Sequence, residues 1–540
     1  MWEVVFSMGL NLASSLADSA VWYPDHVAII CGERQFTFFE LERWVAKISE
    51  ILVIQGLRAG DKVMLLAPNV PEFTAAYYAI LRVGGVVVPI NTLLLPHEIA
   101  VLLEHSDSRY FISWHTLADK AVKAFEAVES CQNLFFIGAK REELPASILA
   151  HHAVSPLHYP KKFVLDELYD CVTGVMDYVQ TSPDDTAVIL YTSGTTGKSK
   201  GVELTHFNIF SNALYSKDKA LYIEHESVTI AVLPLFHTFG QTAIQNTSIM
   251  AGSTMVMIPQ FEPKRVLTDI EKHNVSCIAA VPTMYNLINQ AQRKHKYKIS
   301  SLRVAISGGA SLPPSIFYEF EKLFGLKMTE GYGLSETSPI VCVTPAYEKK
   351  IKVGSIGPEF FGSQARIMRE DGSFADIGEA GELVVRGHNV MKGYYKDPSA
   401  TENAFTDSWF HTGDIAKMDT DRYFYIVDRA KDVIIRAGMN IYPREVEEIL
   451  HNHPAILEAS VIGIADDTLS ENVVACISLN NNANVTAIEI QKYCRERLAT
   501  YKCPKFVEFM QTLPKNSTGK ILKRELRELL KDKYKTPRDN

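Results

Sequence analysis

Eleven consecutive positions, Tyr191-Thr192-Ser193-Gly194-Thr195-Thr196-Gly197-Lys198-Ser199-Lys200-Gly201, combine three glycines, a run of hydroxyl side chains and two lysines. Glycine lets a backbone approach oxyanions closely, main-chain N–H groups and hydroxyls donate to them, and lysine adds charge, so the stretch suits phosphate. It is not a Walker A loop: two residues separate Gly194 from Gly197, where G-x-x-x-x-G-K requires four. A flexible surface loop can share this composition. The apolar run at 187–190 just upstream, however, reads as a parallel strand, and open α/β sheets bind ligands where such strands end.

Three further segments follow apolar runs in the same way: Ser307-Gly308-Gly309-Ala310, Thr329-Glu330-Gly331-Tyr332-Gly333-Leu334-Ser335-Glu336-Thr337 and Pro234-Leu235-Phe236-His237-Thr238-Phe239-Gly240. Each is weak alone, since a histidine among aromatics is more often packed in a core and Glu336 also reads as an exposed turn residue. Together they describe a nucleotide pocket with glycine-lined walls, an aromatic face at Tyr332 and a carboxylate at Glu336 suited to Mg²⁺.

The elements that must position these segments alternate strand and helix. Apolar runs at 62–67, 86–90 and 110–113 are each followed by a helical pattern, at 72–81, 97–105 and 118–128, which is the rhythm of βαβ units. After an irregular stretch near 150–183 the rhythm resumes with strands at 187–191, 228–233, 254–258, 275–281 and 302–307. Two doubly wound, mostly parallel sheets are expected. Beyond about 351 short alternating runs and frequent glycines predict a small antiparallel β-barrel. From 428 onward helices at 444–450 and 486–498, the latter behind a Thr486 to Glu489 capping box, alternate with strands at 456–464 and 473–479, predicting a separate α+β domain.

Composition narrows the class. The chain of 540 residues is 47% apolar and carries 55 Lys plus Arg against 63 Asp plus Glu, a net charge of −8 that argues against general nucleic-acid affinity. Charge is uneven: nine basic residues face only Glu525, Glu528 and Asp532 between Lys515 and Arg538, a basic end that suits an anionic ligand or surface. The eight cysteines form no C-x-x-C pair, so neither a disulfide framework nor a zinc site is indicated, and a reducing cytoplasm fits. The longest apolar run, around 83–90, is far short of the roughly 20 residues of a spanning helix. Met8 reads as a domain start, which makes the first seven residues an extension.

In order along the chain, the 191–201 loop, Gly331-Tyr332-Gly333-Leu334-Ser335-Glu336, Trp409-Phe410-His411-Thr412-Gly413-Asp414, Tyr425-Ile426-Val427-Asp428-Arg429-Ala430-Lys431-Asp432 and Pro514-Lys515-Asn516-Ser517-Thr518-Gly519-Lys520 resemble the signature motifs of the adenylate-forming superfamily. That superfamily includes acyl-CoA synthetases, luciferases and the adenylation domains of peptide synthetases. The likeness covers essentially the whole chain. It is strongest to bacterial medium- and long-chain fatty-acid–CoA ligases, through runs such as Val281-Pro282-Thr283-Met284-Tyr285-Asn286 and Asn389-Val390-Met391-Lys392-Gly393-Tyr394-Tyr395.

The resemblance implies a division into 1–427, an adenylation domain with the substrate pocket, a hinge at 428–431, and a mobile lid domain at 432–540. It implies that Thr192, Ser193, Gly194, Thr195, Thr196, Gly197 and Lys200 hold the β- and γ-phosphates of ATP, that Glu336 coordinates Mg²⁺, and that Ser335, where many relatives have Thr, contacts the α-phosphate. Adenine is expected between the Gly309-Ala310 turn and the Tyr332-Gly333 segment, and the ribose hydroxyls on Asp414 and Arg429. A pivot at Lys431 would bring either Lys520 or the Gly438 segment to the site, Lys520 for adenylation and Gly438 for the CoA step. His237 joins Lys520, Glu336 and Lys200 as the expected catalytic set.

Phe236, Thr238, Phe239, Gly240, Ser307 and Gly308 are expected to line the acyl pocket, and none of them could seat an amino group. The expected reaction is ATP-dependent activation of a fatty acid and transfer to CoA. An aryl- or cinnamate-CoA ligase, a fatty acyl-AMP ligase loading an acyl carrier protein, luciferase-type oxygenation and a non-catalytic nucleotide- or lipid-binding protein are the alternatives. Partners are then the small-molecule substrates, an acyl carrier protein as the alternative acceptor, peripheral membrane contact through the basic end, and a second copy of the chain in a homodimer.

Overall fold

The computed structural model describes residues 9–145, 161–193, 199–348, 350–437, 439–466, 469–480, 483–516 and 519–534. The first seven residues, Gly194, Thr195, Thr196 and Gly197 of the phosphate loop, Gly438, and much of the irregular stretch after 145 lie outside them, as does the side chain of Ser193.

Two eight-stranded sheets carry the site. One runs in the order Ile340–Val343, Thr329–Gly333, Val304–Ser307, Cys277–Ala280, Val228–Ala231, Thr254–Met257, Val27–Cys31, Arg34–Thr37, with antiparallel pairs only at its two ends. The other is ordered Gly393–Tyr394, Ser199–Thr205, Thr186–Ser193, Val86–Pro89, Lys62–Leu66, Ser108–Trp114, Asn133–Ile137, Lys161–Val164. Its first two pairs are antiparallel and the rest parallel. Strands such as Val86–Pro89 and Cys277–Ala280 are buried at every position, which is why they read as unbroken apolar runs rather than alternating ones. Helix Pro71–Arg82 is buried along its entire length, as a helix must be when packed on all sides.

That helix meets an element the sequence pattern does not signal, an eight-residue π-helical turn over Phe239–Asn246. Its buried amides are tied to the helix: Thr74 Oγ1 donates to Gln245 Oε1 at 2.6 Å, Tyr78 Oη to Asn246 Oδ1 at 2.9 Å, and Asn246 Nδ2 to Tyr77 Oη at 3.2 Å. Such turns recur at functional sites. This one starts two residues beyond His237.

The expected third unit is an antiparallel sheet of Ser363–Met368, Gly381–Gly387, Trp409–Met418, Phe405–Thr406 and Phe424–Arg429. Its pairing is an open path rather than a closed ring among the described residues, because its free side packs on the first large sheet instead: Ala365, Leu383 and Phe424 share a core with Val341 and Cys342. From Ile434 onward a mixed sheet, Met439–Ile441, Ile434–Arg436, Ser470–Leu479 and Ile456–Asp466 with Phe506–Phe509 alongside, builds its own cores with helices Pro443–His451, Ala487–Arg495 and Lys523–Tyr534. The capping box at Thr486 and Glu489 is present, with Thr486 N donating to Glu489 Oε2 at 2.8 Å. Among the described residues no helix is long and apolar enough to cross a membrane.

Candidate active site

A continuous cleft runs between the strand ends of the two large sheets, the antiparallel sheet and the C-terminal unit. Thr192 and Lys200 reach it from a hairpin in which Tyr191 pairs with Gly201 and Thr192 with Lys200, so the strands present the two ends of the phosphate loop side by side. The Lys200 ammonium lies 4.6 Å from the centroid of the Tyr394 ring. Ser335 and Glu336 enter on a short 3₁₀ turn, Ser335–Thr337. Met391 N donates to Glu336 O at 2.8 Å and Tyr394 Oη to Glu336 Oε1 at 3.1 Å. Loss of hydration pushes the Glu336 carboxyl up, opposed by hydrogen bonds including that from Tyr394 and by the positive charges of Arg429 and Lys200.

Tyr332 and the Gly309-Ala310 turn both face the cleft. Tyr332 Oη donates to Asp414 Oδ2 at 2.5 Å, and Arg429 Nε stands 3.1 Å from Asp414 Oδ1, so the buried Asp414 is held from two sides. Gly333 admits no side chain: a Cβ there would stand 2.0 Å from the Pro339 carbonyl oxygen.

Lys520 arrives from the C-terminal unit on a tight turn in which Asn516 N donates to Lys520 O at 2.9 Å and Lys520 N to Asn516 Oδ1 at 2.9 Å. Gly519 sits at φ +82°, and a Cβ on it would approach Thr283 Oγ1 of the large domain to 2.8 Å. The glycine is therefore required twice, by its backbone and by the closeness of the two domains. Burial, then the neighbouring charge of Arg429, lowers the Lys520 ammonium to about 8. Burial and the charge of Lys520 depress His237 to about 4, leaving a neutral imidazole whose Nδ1 accepts from Phe239 N at 3.2 Å. His237 is thus a cleft residue and not a packed core histidine.

Lys431 lies in the 3₁₀ turn Ala430–Asp432, between Phe424–Arg429 and Ile434–Arg436, and also lines the cleft. Contacts flank it. Arg444 N donates to Asp428 Oδ2 at 2.7 Å, Arg444 Nη1 to Ile426 O at 2.6 Å, and Arg527 Nη2 to Asp432 Oδ1 at 2.7 Å.

Of the residues expected to wall an acyl pocket, Phe236, Thr238, Phe239 and Gly308 do line the cleft. Two do not. Gly240 is buried in the π-helical turn, where a Cβ would stand 2.5 Å from the Pro234 carbonyl oxygen, so backbone packing requires its glycine. Ser307 is fully buried in its strand. Leu221, Ala243, Ile306 and Val343 line the cleft as well. A Cβ on Gly308 would meet the Phe239 ring at 2.9 Å, and one on Gly331 would meet Val343 and Ile306 at 3.4 and 3.6 Å, so these side chains crowd around two adjacent glycines.

Sequence reasoning assigned no role to Glu330, a buried carboxyl lining the cleft. Its Oε1 accepts from Leu312 N at 3.1 Å and its Oε2 has no hydrogen-bond partner among the described residues, and burial, offset by the charge of Arg444, raises it to about 7. An acid raised on folding stabilises fully below its unfolded value and loses that contribution as pH rises through its folded value. Glu330→Gln is therefore expected to gain stability over the parent as pH goes from 4.5 to 7, by about 3 kcal/mol in total. Thermal midpoints of both proteins across that range check this; a constant difference would overturn it.

A family model described as "AMP-binding enzyme" matches residues 16–395, and one described as "AMP-binding enzyme C-terminal domain" matches residues 445–520. The chain is 37% identical over 537 residues to a long-chain-fatty-acid–CoA ligase of Bacillus subtilis (strain 168), covering 96% of this chain and 94% of that protein. It is 34% identical over 513 residues to a feruloyl-CoA synthase of Amycolatopsis sp, covering 93% and 96%. The crystal structure of ATP-bound MatB from Rhodopseudomonas palustris superposes with a TM-score of 0.87 at 30% identity, covering 98% of this chain and all of that one.

Proposed function

This chain belongs to the AMP-binding enzyme family and is an adenylate-forming acid–thiol ligase that uses ATP; from that premise we propose that its acid is a medium- or long-chain fatty acid and its thiol is CoA. The observation carrying the choice of acid is that Phe236, Phe239, Leu221, Ala243, Ile306 and Val343, none of them ionisable, line the same cleft as His237, with Phe239 against Gly308 and Val343 and Ile306 against Gly331. Likeness to the Bacillus fatty-acid ligase supports the same reading.

In the first step a carboxylate oxygen attacks the α-phosphorus of ATP, the bond to the β-phosphate breaks and pyrophosphate leaves. Two anions must meet, so placement and positive charge matter more than proton transfer. Lys200 and the hairpin hold the outer phosphates, Lys520 faces the reacting phosphate with Ser335 at the α-phosphate, Tyr332 and the Gly309-Ala310 turn flank adenine, and Asp414 with Arg429 takes the ribose hydroxyls. The neutral His237 lies where the attacking carboxylate enters and adds no competing charge. Among the described residues no group of three His, Cys, Asp or Glu could hold a metal alone, whereas the half-buried Glu336 carboxylate is the hard oxygen donor that Mg²⁺ takes together with phosphates. There Glu336 would hold Mg²⁺, which would supply neutralising charge.

In the second step the CoA sulfur attacks the acyl carbonyl, the bond to the AMP oxygen breaks and AMP leaves. Residues 432–540 pivot at Lys431 against 1–427, withdrawing Lys520 and bringing up the Gly438 segment. Breaking the contacts of Asp428 with Arg444 accompanies that turn.

Pyrophosphate release with octanoate, palmitate, cinnamate and amino acids, with and without CoA, tests the reading. Fatty acids are expected to lead, because a buried ammonium without a partner carboxylate costs several kcal/mol. A faster amino acid overturns the proposal, a faster cinnamate transfers it to aryl acids, and thioester formation only on an acyl carrier protein replaces CoA as the acceptor.

A further inference from the structure

The run ending in Gly393-Tyr394-Tyr395, which in sequence served only as a mark of resemblance, forms the edge strand Gly393–Tyr394 against Ser199–Thr205, with Tyr394 paired to Val202 and Gly393 to Glu203. Its two tyrosines do different things. Tyr395 anchors the strand outward: its Oη donates to Asp107 Oδ2 at 2.8 Å, its ring meets His105 edge-on, and its N–H donates to Gly201 O at 2.7 Å. Tyr394 faces the cleft and touches two groups of opposite charge, the Lys200 ammonium 4.6 Å from its ring centroid and the Glu336 carboxylate 3.1 Å from its hydroxyl.

We infer that Tyr394 is a positioning residue that keeps Lys200 and Glu336 apart, occupying the cation with its ring face and the carboxylate with its O–H so that each charge stays available to the phosphates and their metal. The chemistry requires such a spacer. A lysine and a glutamate projecting into one partly dehydrated cleft attract each other strongly, and an ion pair between them would cancel both charges. A phenol ring holds an ammonium without neutralising it, because the attraction comes from the ring quadrupole. Its hydroxyl donates a single proton to one carboxylate oxygen and leaves the other free to bind a cation. The anchoring of Tyr395 explains why the strand stays in place although it is only two residues long.

This inference rests on the ATP-dependent reading above, and calorimetry on the full chain separates the two. Affinities for ATP are measured with Mg²⁺ and with EDTA, for the parent, Tyr394→Phe and Tyr394→Leu, alongside KM for the acid. Tyr394→Phe keeps the ring and loses the O–H, so Mg²⁺-dependent affinity is expected to fall roughly tenfold with the metal-free value unchanged. Tyr394→Leu loses both contacts, so metal-free affinity is expected to fall as well, by roughly three- to tenfold. KM for the acid stays constant in both. Unchanged ATP affinities in the two variants overturn the spacer role, as does a KM for the acid that rises in parallel with the loss of ATP binding, the mark of a general structural defect. Should Tyr394→Leu fail to fold, Tyr394→Phe decides alone. A parent protein that binds no ATP under either condition overturns the ligase reading itself.

Discussion

Replacing Lys520 by alanine is expected to slow acyl-AMP formation by about 10²-fold or more while leaving the conversion of supplied acyl-AMP and CoA to acyl-CoA near the parental rate. The first half follows from where the ammonium stands. Lys520 is carried into the cleft from the C-terminal unit on a turn that fits only because Gly519 brings the main chain against Thr283. It lies among Arg429, Asp414 and Lys431, beside the expected nucleotide. A charge that acts only while negative charge moves onto pyrophosphate lowers the barrier of that step alone. The second half follows from the proposed pivot at Lys431, in which Lys520 is withdrawn with its domain and has no contact left to lose.

The same residue predicts a pH limb. With the ammonium at about 8 in the free protein, kcat/KM for adenylation falls as pH rises past that value, and the limb disappears in the alanine variant. Lys523 and Arg436 serve as controls. Lys523 is ion-paired with Glu447 at 2.8 Å, and Arg436 Nη1 donates to Tyr501 O at 3.0 Å. Alanine at either alters the C-terminal unit but does not split the half-reactions. Equal losses of both half-reactions in Lys520→Ala would remove the main support for a two-conformation mechanism.

Glu336→Ala is expected to cost Mg²⁺-dependent turnover about 10²-fold or more, the scale of losing one preorganised electrostatic contact. The variant removes the carboxylate that accepts from Tyr394 and that would hold Mg²⁺ at the phosphates. Glu336→Gln, which keeps the volume and the contact with the Tyr394 hydroxyl, separates packing from charge. If the charge is what matters, the glutamine variant is nearly as slow as the alanine one and neither is rescued by excess Mg²⁺. A near-parental rate in Glu336→Gln would reduce Glu336 to a structural residue.

Much of the scaffold is legible along the chain because its signals are short-ranged. The helix at 486–498 begins where Thr486 and Glu489 can cap each other, and the observed helix Ala487–Arg495 starts there. Strands buried on both faces, such as Val86–Pro89, announce themselves as apolar runs. The glycine- and hydroxyl-rich hairpin, Tyr332 and Glu336 fall at strand ends for the same local reasons. The closure of the small antiparallel unit is not encoded that way: whether edge strands meet or pack on a neighbouring sheet depends on surfaces far off in sequence, and here Val341 and Cys342 cover them.

The site itself divides along the same line. Residue type and spacing pointed to phosphate and a carboxylate in one pocket, and the resemblance to the adenylate-forming superfamily implied a late lysine beside them. Only the tertiary structure decided that His237 faces a cleft, that Gly240 serves backbone packing and Ser307 the interior of a strand, that Glu330 loses its water, and that Tyr394 touches both Lys200 and Glu336. The physical reason is that turns, caps and periodicity act over a few residues, whereas burial and side-chain contact are settled by which distant segments exclude water together, a sum of many weak interactions that no single stretch of sequence contains.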